Sequence, residues 1–537
     1  MKKLAVLALG LVALAACGKK AHDYSQIPDK GTVADGGTLV DVTAGEASKL
    51  NPFLAADNVS ADLCGLIFNG LVRYNPKLEL EGELAESWKV SDGGKTITFK
   101  LRKGLKWQDG EPLTSHDAAF TYHTIMDPKT ATPHKGGFEP VSSVETPDDL
   151  TFVVHYSKPF APALESWSMG VVPEHILKDE KDINSAAFNR NPVGSGPYKF
   201  VRWKDKQFVE LEANPSYFEG KPHIARYVLR FISEPATKLL ELKTGGIDQS
   251  DLTADQYTRE TDGDDFKRMA KKYRFDGRSK YTYMGFNLKK EPFDDIRVRM
   301  ALSHAIDRDE LITGVLQGLG KPCSGPYSPL MPAYNPEVKS VSYDLALSGK
   351  LLDSAGWKLG KSGLREKNGK PLKFRLITNQ GNDSRKKTVL ILEQQFAKLG
   401  VKVDVQIYEW SIFLKNYINK RDFDCYVMGW QLTLDPDLYP IWHSSQTAEE
   451  QFNMVSYKNT EVDRLLEEGR VTFEPKKRIA IYRRIHALIA ADHPYAFLYC
   501  PDELSALSLK VQGVEVQPTG YSWYWPNRWY LPASVQQ

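Results

Sequence analysis

Residues 385–407, Arg385-Lys386-Lys387-Thr388-Val389-Leu390-Ile391-Leu392-Glu393-Gln394-Gln395-Phe396-Ala397-Lys398-Leu399-Gly400-Val401-Lys402-Val403-Asp404-Val405-Gln406-Ile407, change their hydrophobic period in a single step. Up to Leu399, the apolar residues Val389, Leu392, Phe396 and Leu399 recur at three- and four-residue spacing, which places them on one face of a helix. Gly400 is the stop that helix C-termini favour. Beyond it Val401, Val403, Val405 and Ile407 alternate with polar residues, the period of a half-buried strand. The segment therefore predicts a helix feeding directly into a strand, the repeating element of α/β folds.

The same alternation of signals runs outward in both directions. Upstream, Thr96–Leu101 alternates with period two behind the turn residues Asp92-Gly93-Gly94, and Asp148-Asp149 opens a second strand at Leu150–Val154. Phe208–Leu211 and Tyr227–Phe231 add two more strands. Downstream, helices are expected near 461–472 and 476–491, with Pro475 at the start of the second and Ile479, Tyr482, Ile485 and Ile489 on its buried face. No fixed-period repeat is present. With 537 residues, 42% hydrophobic and 26% charged, the chain has an ordinary globular balance and length for three or four domains. Seventy basic and 68 acidic side chains leave a formal charge of +2 without a dense Lys/Arg segment, so nucleic acid is not an expected partner.

The N-terminus has its own character. Lys2 and Lys3 precede an apolar run, Leu4–Ala16, that is shorter than the roughly 20 residues a bilayer span needs and has the layout of a secretory signal. It ends in Leu14-Ala15-Ala16-Cys17, which resembles a bacterial lipobox. That resemblance implies an exported, membrane-anchored lipoprotein with lipid on Cys17, in the periplasmic space or at the cell surface; Gly18 leaves inner and outer membranes both open. Residues 18–36, rich in Lys, Asp, Gly and Ser, read as a flexible tether. Four cysteines remain, Cys64, Cys323, Cys425 and Cys500, and the sequence leaves open whether they pair or stay as buried thiols.

No catalytic signature stands out. The chain lacks a zinc-helix HExxH, a GxSxG elbow, a phosphate loop and a dinucleotide GxGxxG. Gly194-Ser195-Gly196 superficially suggests a nucleophile turn, but Pro197 disfavours the helical conformation such an elbow needs, so a structural turn is expected. His116/His123 and His486/His493 are spaced by two helical turns, too far to share a metal unaided, and His443 stands alone in a loop. Asp294-Asp295 and Asp148-Asp149 suit turns and caps. Neither a metal nor a cofactor is expected, and an enzyme is not. Aromatic residues make up 11% of the chain, and the alternating Tyr521-Ser522-Trp523-Tyr524-Trp525 reads as a strand covering a domain.

Several segments in order resemble one family, the extracellular solute-binding proteins, family 5, which includes the dipeptide-, oligopeptide- and nickel-binding proteins of bacterial importers. They are Glu83-Leu84-Ala85-Glu86-Ser87-Trp88; Gly104-Leu105-Lys106-Trp107-Gln108-Asp109-Gly110-Glu111-Pro112-Leu113-Thr114; Asn191-Pro192-Val193-Gly194-Ser195-Gly196-Pro197-Tyr198; Phe293-Asp294-Asp295-Ile296-Arg297-Val298-Arg299 through Ala305-Ile306-Asp307-Arg308; and Asp422-Phe423-Asp424 through Gly429-Trp430 and Asp435-Pro436-Asp437. The resemblance covers nearly all of the chain from about residue 37.

It implies an α/β fold of the periplasmic-binding-protein type II kind, two lobes with a hinge plus an extra inserted domain. The first lobe would comprise 37–75, 192–285 and 505–537, the inserted domain 76–191, and the second lobe 286–504. A ligand, expected to be a peptide, would bind between the lobes, and the closed protein, acting as a monomer, would deliver it to the permease of an ABC importer. In peptide-binding relatives the Trp of the Gly-Trp motif lies by the cleft, and an Asp three residues later holds the ligand ammonium. Here these positions are Trp430 and Thr433, and a Thr hydroxyl accepts a hydrogen bond without neutralising charge. Asp435 is the expected substitute, or the ligand lacks an amine there. Gly429, Tyr283, Asn287 and Asn51 complete the expected ligand-binding set. The alternatives are another cargo on the same fold (chelated nickel, haem, an oligosaccharide or an opine) or a sensor or chaperone-like lipoprotein not tied to import.

Overall fold

The structure, a computed structural model, describes residues 22–277, 279–517 and 525–536. The signal-like segment, Cys17 and most of the aromatic run at 521–525 lie outside the described residues, and Trp525 begins a short helix, Trp525–Arg528.

The helix–strand unit forms as its period dictates. Asn382 caps the helix Asp383–Lys398 by accepting from the Arg385 amide, and Val389, Leu392 and Phe396 are buried along one face. The strand Lys402–Tyr408 follows and pairs in parallel with Lys373–Asn379, so the helix is the crossover between two parallel neighbours. These strands form one end of a six-stranded sheet in the order Gly320–Pro322, Tyr495–Pro501, Lys280–Phe286, Cys425–Gln431, Lys373–Asn379, Lys402–Tyr408. Both faces are covered. Met284, Phe286, Leu376, Cys425 and Val427 pack with the helix residues on one side, while Tyr281, Tyr283, Tyr426, Met428 and Phe497 build an aromatic core on the other. The helices Thr460–Val471 and Pro475–Asp492 close that second side through Leu466, Tyr482, Ile485 and Ile489.

A second body holds a four-stranded sheet in the order Thr38–Thr43, Arg226–Phe231, Phe208–Ala213, Tyr198–Lys204. The segment read as an inserted domain contributes an antiparallel sheet, Ala85–Ser91, Thr96–Leu101, Thr151–Tyr156 and Val141–Asp148. Its Phe99, Phe152 and Trp167 belong to the same hydrophobic cluster as Leu39, Leu211 and Tyr227, so the two sheets share one core. A small sheet, Gln249–Asp251, Glu503–Ser508 and Ala270–Phe275, lies beside them.

The chain crosses between bodies between the strands Ala270–Phe275 and Lys280–Phe286, and again at Asp502. The second lobe begins earlier than the boundary placed at 286. Lys280–Phe286 pairs along its length with Cys425–Gln431 and also with Tyr495–Pro501, and a strand cannot be separated from its ladder. The two crossings touch: Arg274 forms an ion pair with Asp502 at 2.7 Å, and a Cβ added to Gly277 would stand 2.0 Å from the Pro501 carbonyl oxygen. The tether reading is also corrected for residues 22–36. Ile27 is buried, the Tyr24 amide donates to the Arg268 carbonyl at 2.8 Å, and Asp35 pairs with His223 at 2.7 Å. A polar composition concealed two apolar anchors. Cys64, Cys323, Cys425 and Cys500 are free and buried. No helix among the described residues is long and apolar enough to cross a membrane.

Candidate ligand-binding cleft

A cavity of about 600 Å³ lies between the two bodies. Phe68, Phe138, Phe160 and Met169 form one wall; Trp430, Leu432 and Phe452 form the other. Its volume and mainly apolar lining, with aromatic rings on both walls and polar and charged groups among them, are those of a small-ligand site. The walls touch at the rim. The Ala161 amide donates to the Arg470 carbonyl at 2.6 Å, and the Arg470 guanidinium lies over Tyr439 at 3.8 Å and over Phe160 at 5.1 Å. His134 meets the Phe452 ring edge-on at 6.0 Å. This is a closed arrangement of the cleft.

The strand Cys425–Gln431 builds the second wall. Its first four residues are buried, and the chain emerges at Gly429-Trp430-Gln431. Trp430 turns its indole N–H inward to the Tyr495 hydroxyl at 3.4 Å and packs edge-to-face with Phe452 at 5.4 Å, which leaves the ring on the cavity. Gly429 sits one step back, where a Cβ would come 3.1 Å from both Arg385 Nη2 and the Tyr281 carbonyl oxygen. Register with Lys373–Asn379 extends only through Leu376↔Cys425 and Ile377↔Tyr426, so past Val427 that strand edge has no neighbouring strand among the described residues.

The loop after this strand carries Thr433 and Asp435, and both line the cavity. Thr433 donates its hydroxyl to the Asp435 carbonyl at 3.3 Å. The Asp435 carboxylate is taken by Arg478 in a two-pronged pair at 2.6 and 2.7 Å, and Asp437 is held by Arg470 at 2.8 Å. Asp435 therefore reaches the cleft with its charge already answered, a poor substitute for a lone ammonium-binding Asp.

The opposite wall supplies a different carboxyl. Glu165, on the short helix Ala163–Ser166, lines the cavity and reaches the loop that carries these aspartates. Burial first, and then the Asp435 charge, push it up to about 8, although Tyr74 and the Asp435 amide hydrogen-bond to it. Glu83 lies on the same wall. Burial lifts it to about 7 against its bonds from Asn69 Nδ2 and the Gly70 amide, both 2.8 Å. Burial lowers the pKa of His134, against the pull of the Ala55 carbonyl oxygen 3.0 Å from its Nε2.

Of the other expected site residues, Gly429 is adjacent to the cavity but does not line it, and three lie elsewhere. Tyr283 is fully buried, stacked on Tyr495 at 3.8 Å with its hydroxyl near that of Tyr426. Asn287 donates to the Arg421 and Phe423 carbonyls, and Asn51 donates to Asn189 while accepting from the Phe53 amide. These amides satisfy backbone and neighbours. Ser195 is likewise buried, its hydroxyl donating to Asn69 Oδ1 at 3.0 Å, as the structural-turn reading requires. His443 stacks on Tyr439 at 4.1 Å. Glu165, His134 and Phe452 were missed by the sequence reading; the one hint at Glu165 is an acidic residue within the otherwise apolar run Phe160–Leu164 and Trp167.

Comparison with known proteins gives the same frame. The oligopeptide-binding protein AppA of Bacillus subtilis (strain 168) is 34% identical over 540 residues, spanning 98% of each chain. The solved structure of AppA from Bacillus subtilis in complex with a nonapeptide matches with a TM-score of 0.88 at 32% identity, covering 93% of this chain and 100% of that one. NikZ from Campylobacter jejuni in complex with Ni(L-His) matches with a TM-score of 0.82 at 27% identity, covering 92% and 99%. The architecture is that of type II periplasmic-binding proteins. The model of the bacterial extracellular solute-binding proteins, family 5 Middle, matches residues 79–451, and the chain belongs to this family.

Proposed function

We propose that this protein is a lipoprotein, anchored through Cys17, that captures peptides between its lobes for an ABC importer and performs no covalent chemistry. The observation that carries the peptide reading is the wall at Trp430 and Gln431, just past Gly429. There a strand edge without a neighbouring strand meets an aromatic cavity. An extended peptide can add to such an edge through its main chain, while the aromatic wall accepts varied side chains. Likeness to a relative solved with a nonapeptide supports this reading. A likeness to a protein solved with Ni(L-His) shows that the fold alone does not choose the cargo.

On this reading Glu165 replaces the ammonium-holding Asp whose place Thr433 occupies. It faces the cavity without an Arg partner among the described hydrogen bonds and ion pairs, whereas Asp435 and Asp437 are each held by one. Burial first, and then the Asp435 charge, disfavour ionised Glu165; a cation entering between these carboxyls offsets both by favouring the carboxylate.

Native mass spectrometry of residues 18–537, purified gently and again after unfolding and refolding, tests the cargo. A ladder of peptide masses in the first sample, absent from the second, is the expected result, because ligand bound only to the folded form is retained by mass action. A single non-peptide mass or a metal ion would overturn the peptide assignment. Labelling with a radioactive fatty acid in cells, lost in Cys17→Ser, tests the anchor separately.

A further inference from the structure

A second cavity, of about 250 Å³, lies inside the six-stranded body, away from the cleft. One side is the start of the Tyr495–Pro501 strand; another is the helix Pro475–Asp492, which presents only methyl groups there, at Ala487, Ala490 and Ala491. Val338, Lys339 and Val341 cover the mouth. Small side chains at helical spacing leave the space open.

The floor holds Arg308, which is 5% exposed. Its Nε donates to the Phe497 carbonyl at 2.7 Å, and its Nη1 is shared by the carbonyls of Ser303, Ile306 and Val341 at 3.1, 3.3 and 2.9 Å. Nη2 has no partner among the described residues, and Arg308 lines the cavity. Carbonyl groups satisfy its donors without cancelling its charge. No carboxylate pairs with Arg308 among the described residues, and no Asp or Glu lines the cavity. A buried cation lacking a counter-charge is costly, and its burial accordingly draws this guanidinium down to about 10.

Other polar groups converge on the same space. Ser303 is fully buried with its hydroxyl 3.3 Å from His493 Nδ1, and His493 is held neutral by burial, pushed to about 4. Ser324 also lines the wall, and the Lys339 ammonium, on an exposed stem, donates to the Pro336 carbonyl at 2.7 Å beside the mouth. At about 30 Å³ per water molecule, the space holds a compact anion with water beside it, not an extended ligand.

We infer that this cavity binds a small oxyanion, a carboxylate or phosphate, on Arg308 Nη2, with Ser303 beside it and Lys339 at the entrance. The anion supplies the counter-charge the fold omits.

Titration calorimetry of the mature protein, in a buffer free of oxyanions, tests this with inorganic phosphate and with acetate as separate probes. Saturable binding of one equivalent of either is expected, and the stronger probe identifies the anion class. Arg308→Met removes backbone bonds and risks misfolding, so the informative variants are Ala490→Leu, which fills the cavity, and Lys339→Gln. Ala490→Leu is expected to abolish anion binding with cleft-ligand affinity unchanged; Lys339→Gln is expected to weaken the anion roughly tenfold. Absence of saturable binding by both probes, or undiminished binding in Ala490→Leu, would overturn the assignment.

Discussion

Replacing Glu165 with glutamine is expected to weaken peptides with a free N-terminal amine while sparing their N-acetylated forms. Burial first, and then Asp435, push this carboxyl from 4.5 up to about 8 and so disfavour its charged form in the empty cleft. A bound ammonium would reverse that preference and gain a charged hydrogen bond of about 1.5–3 kcal/mol, so the variant should lose roughly 10- to 150-fold in affinity. The proton balance sharpens the test. Below about pH 8 the empty cleft holds Glu165 protonated, so binding an ammonium releases a proton. Affinity for amine ligands should rise with pH towards about 8, by at most tenfold per pH unit, and then fall as the ligand's own amine, with a pKa of about 8, loses its proton. The ligand-free protein should behave oppositely. A carboxyl raised on folding contributes its full stability below about 4.5 and loses it as pH rises through about 8. Glu165→Gln should flatten both profiles. Calorimetry with one peptide in free and acetylated forms, at several pH values, reads all of this. Equal discrimination between the two forms in native protein and variant would refute the assignment.

Three further outcomes follow from the same geometry. Arg478→Met leaves the part-buried Asp435 carboxylate without its two-pronged partner and should cost about 3 kcal/mol in urea unfolding, whereas the joint Asp435→Asn, Arg478→Met variant should recover part of the loss. Trp430→Ala removes the ring that packs on Phe452 and donates to Tyr495, and should weaken cleft ligands by about 2 kcal/mol in calorimetry while also lowering the melting temperature. Gly277→Ala puts a Cβ 2.0 Å from the Pro501 carbonyl oxygen, so the crossings must part; a fall in stability of at least about 2 kcal/mol is expected in denaturant melts.

What was legible in the sequence was local. The helix at 383–398 and the strand at 402–408 follow from side-chain period within one short window, and the motif order places Trp430 on the cleft. Tyr283 was misread because its strand is central in a sheet covered on both faces; a tyrosine there packs in the core, and alternation gives no warning. Asn51 and Asn287 show a second limit. A buried amide that serves backbone carbonyls and one that serves a ligand look alike in sequence, and only the fold shows which groups need a partner. Glu165 shows a third: what sets it apart is burial at the cleft and then the charge of Asp435, far along the chain, neither of which its local sequence reveals.

That opposition between walls bears on how such a cleft works. Closing it brings Glu165 up to the loop of Asp435 and Asp437 and removes it from water, so closure without ligand must either protonate Glu165 or tolerate like charges at close range. Arg478 and Arg470 hold the aspartates in place, and beyond its burial Glu165 still feels their charge, Asp435 foremost. A ligand cation that neutralises this carboxyl favours the closed form over the open one by its differential affinity, which is the sole way a ligand shifts such an equilibrium. The aromatic walls attract ligands with little regard to charge, but Glu165 rewards closure only around a cation. On this reading tight capture and selection for an amine terminus are one property, and Glu165→Gln should relax selection while making the empty protein close more readily.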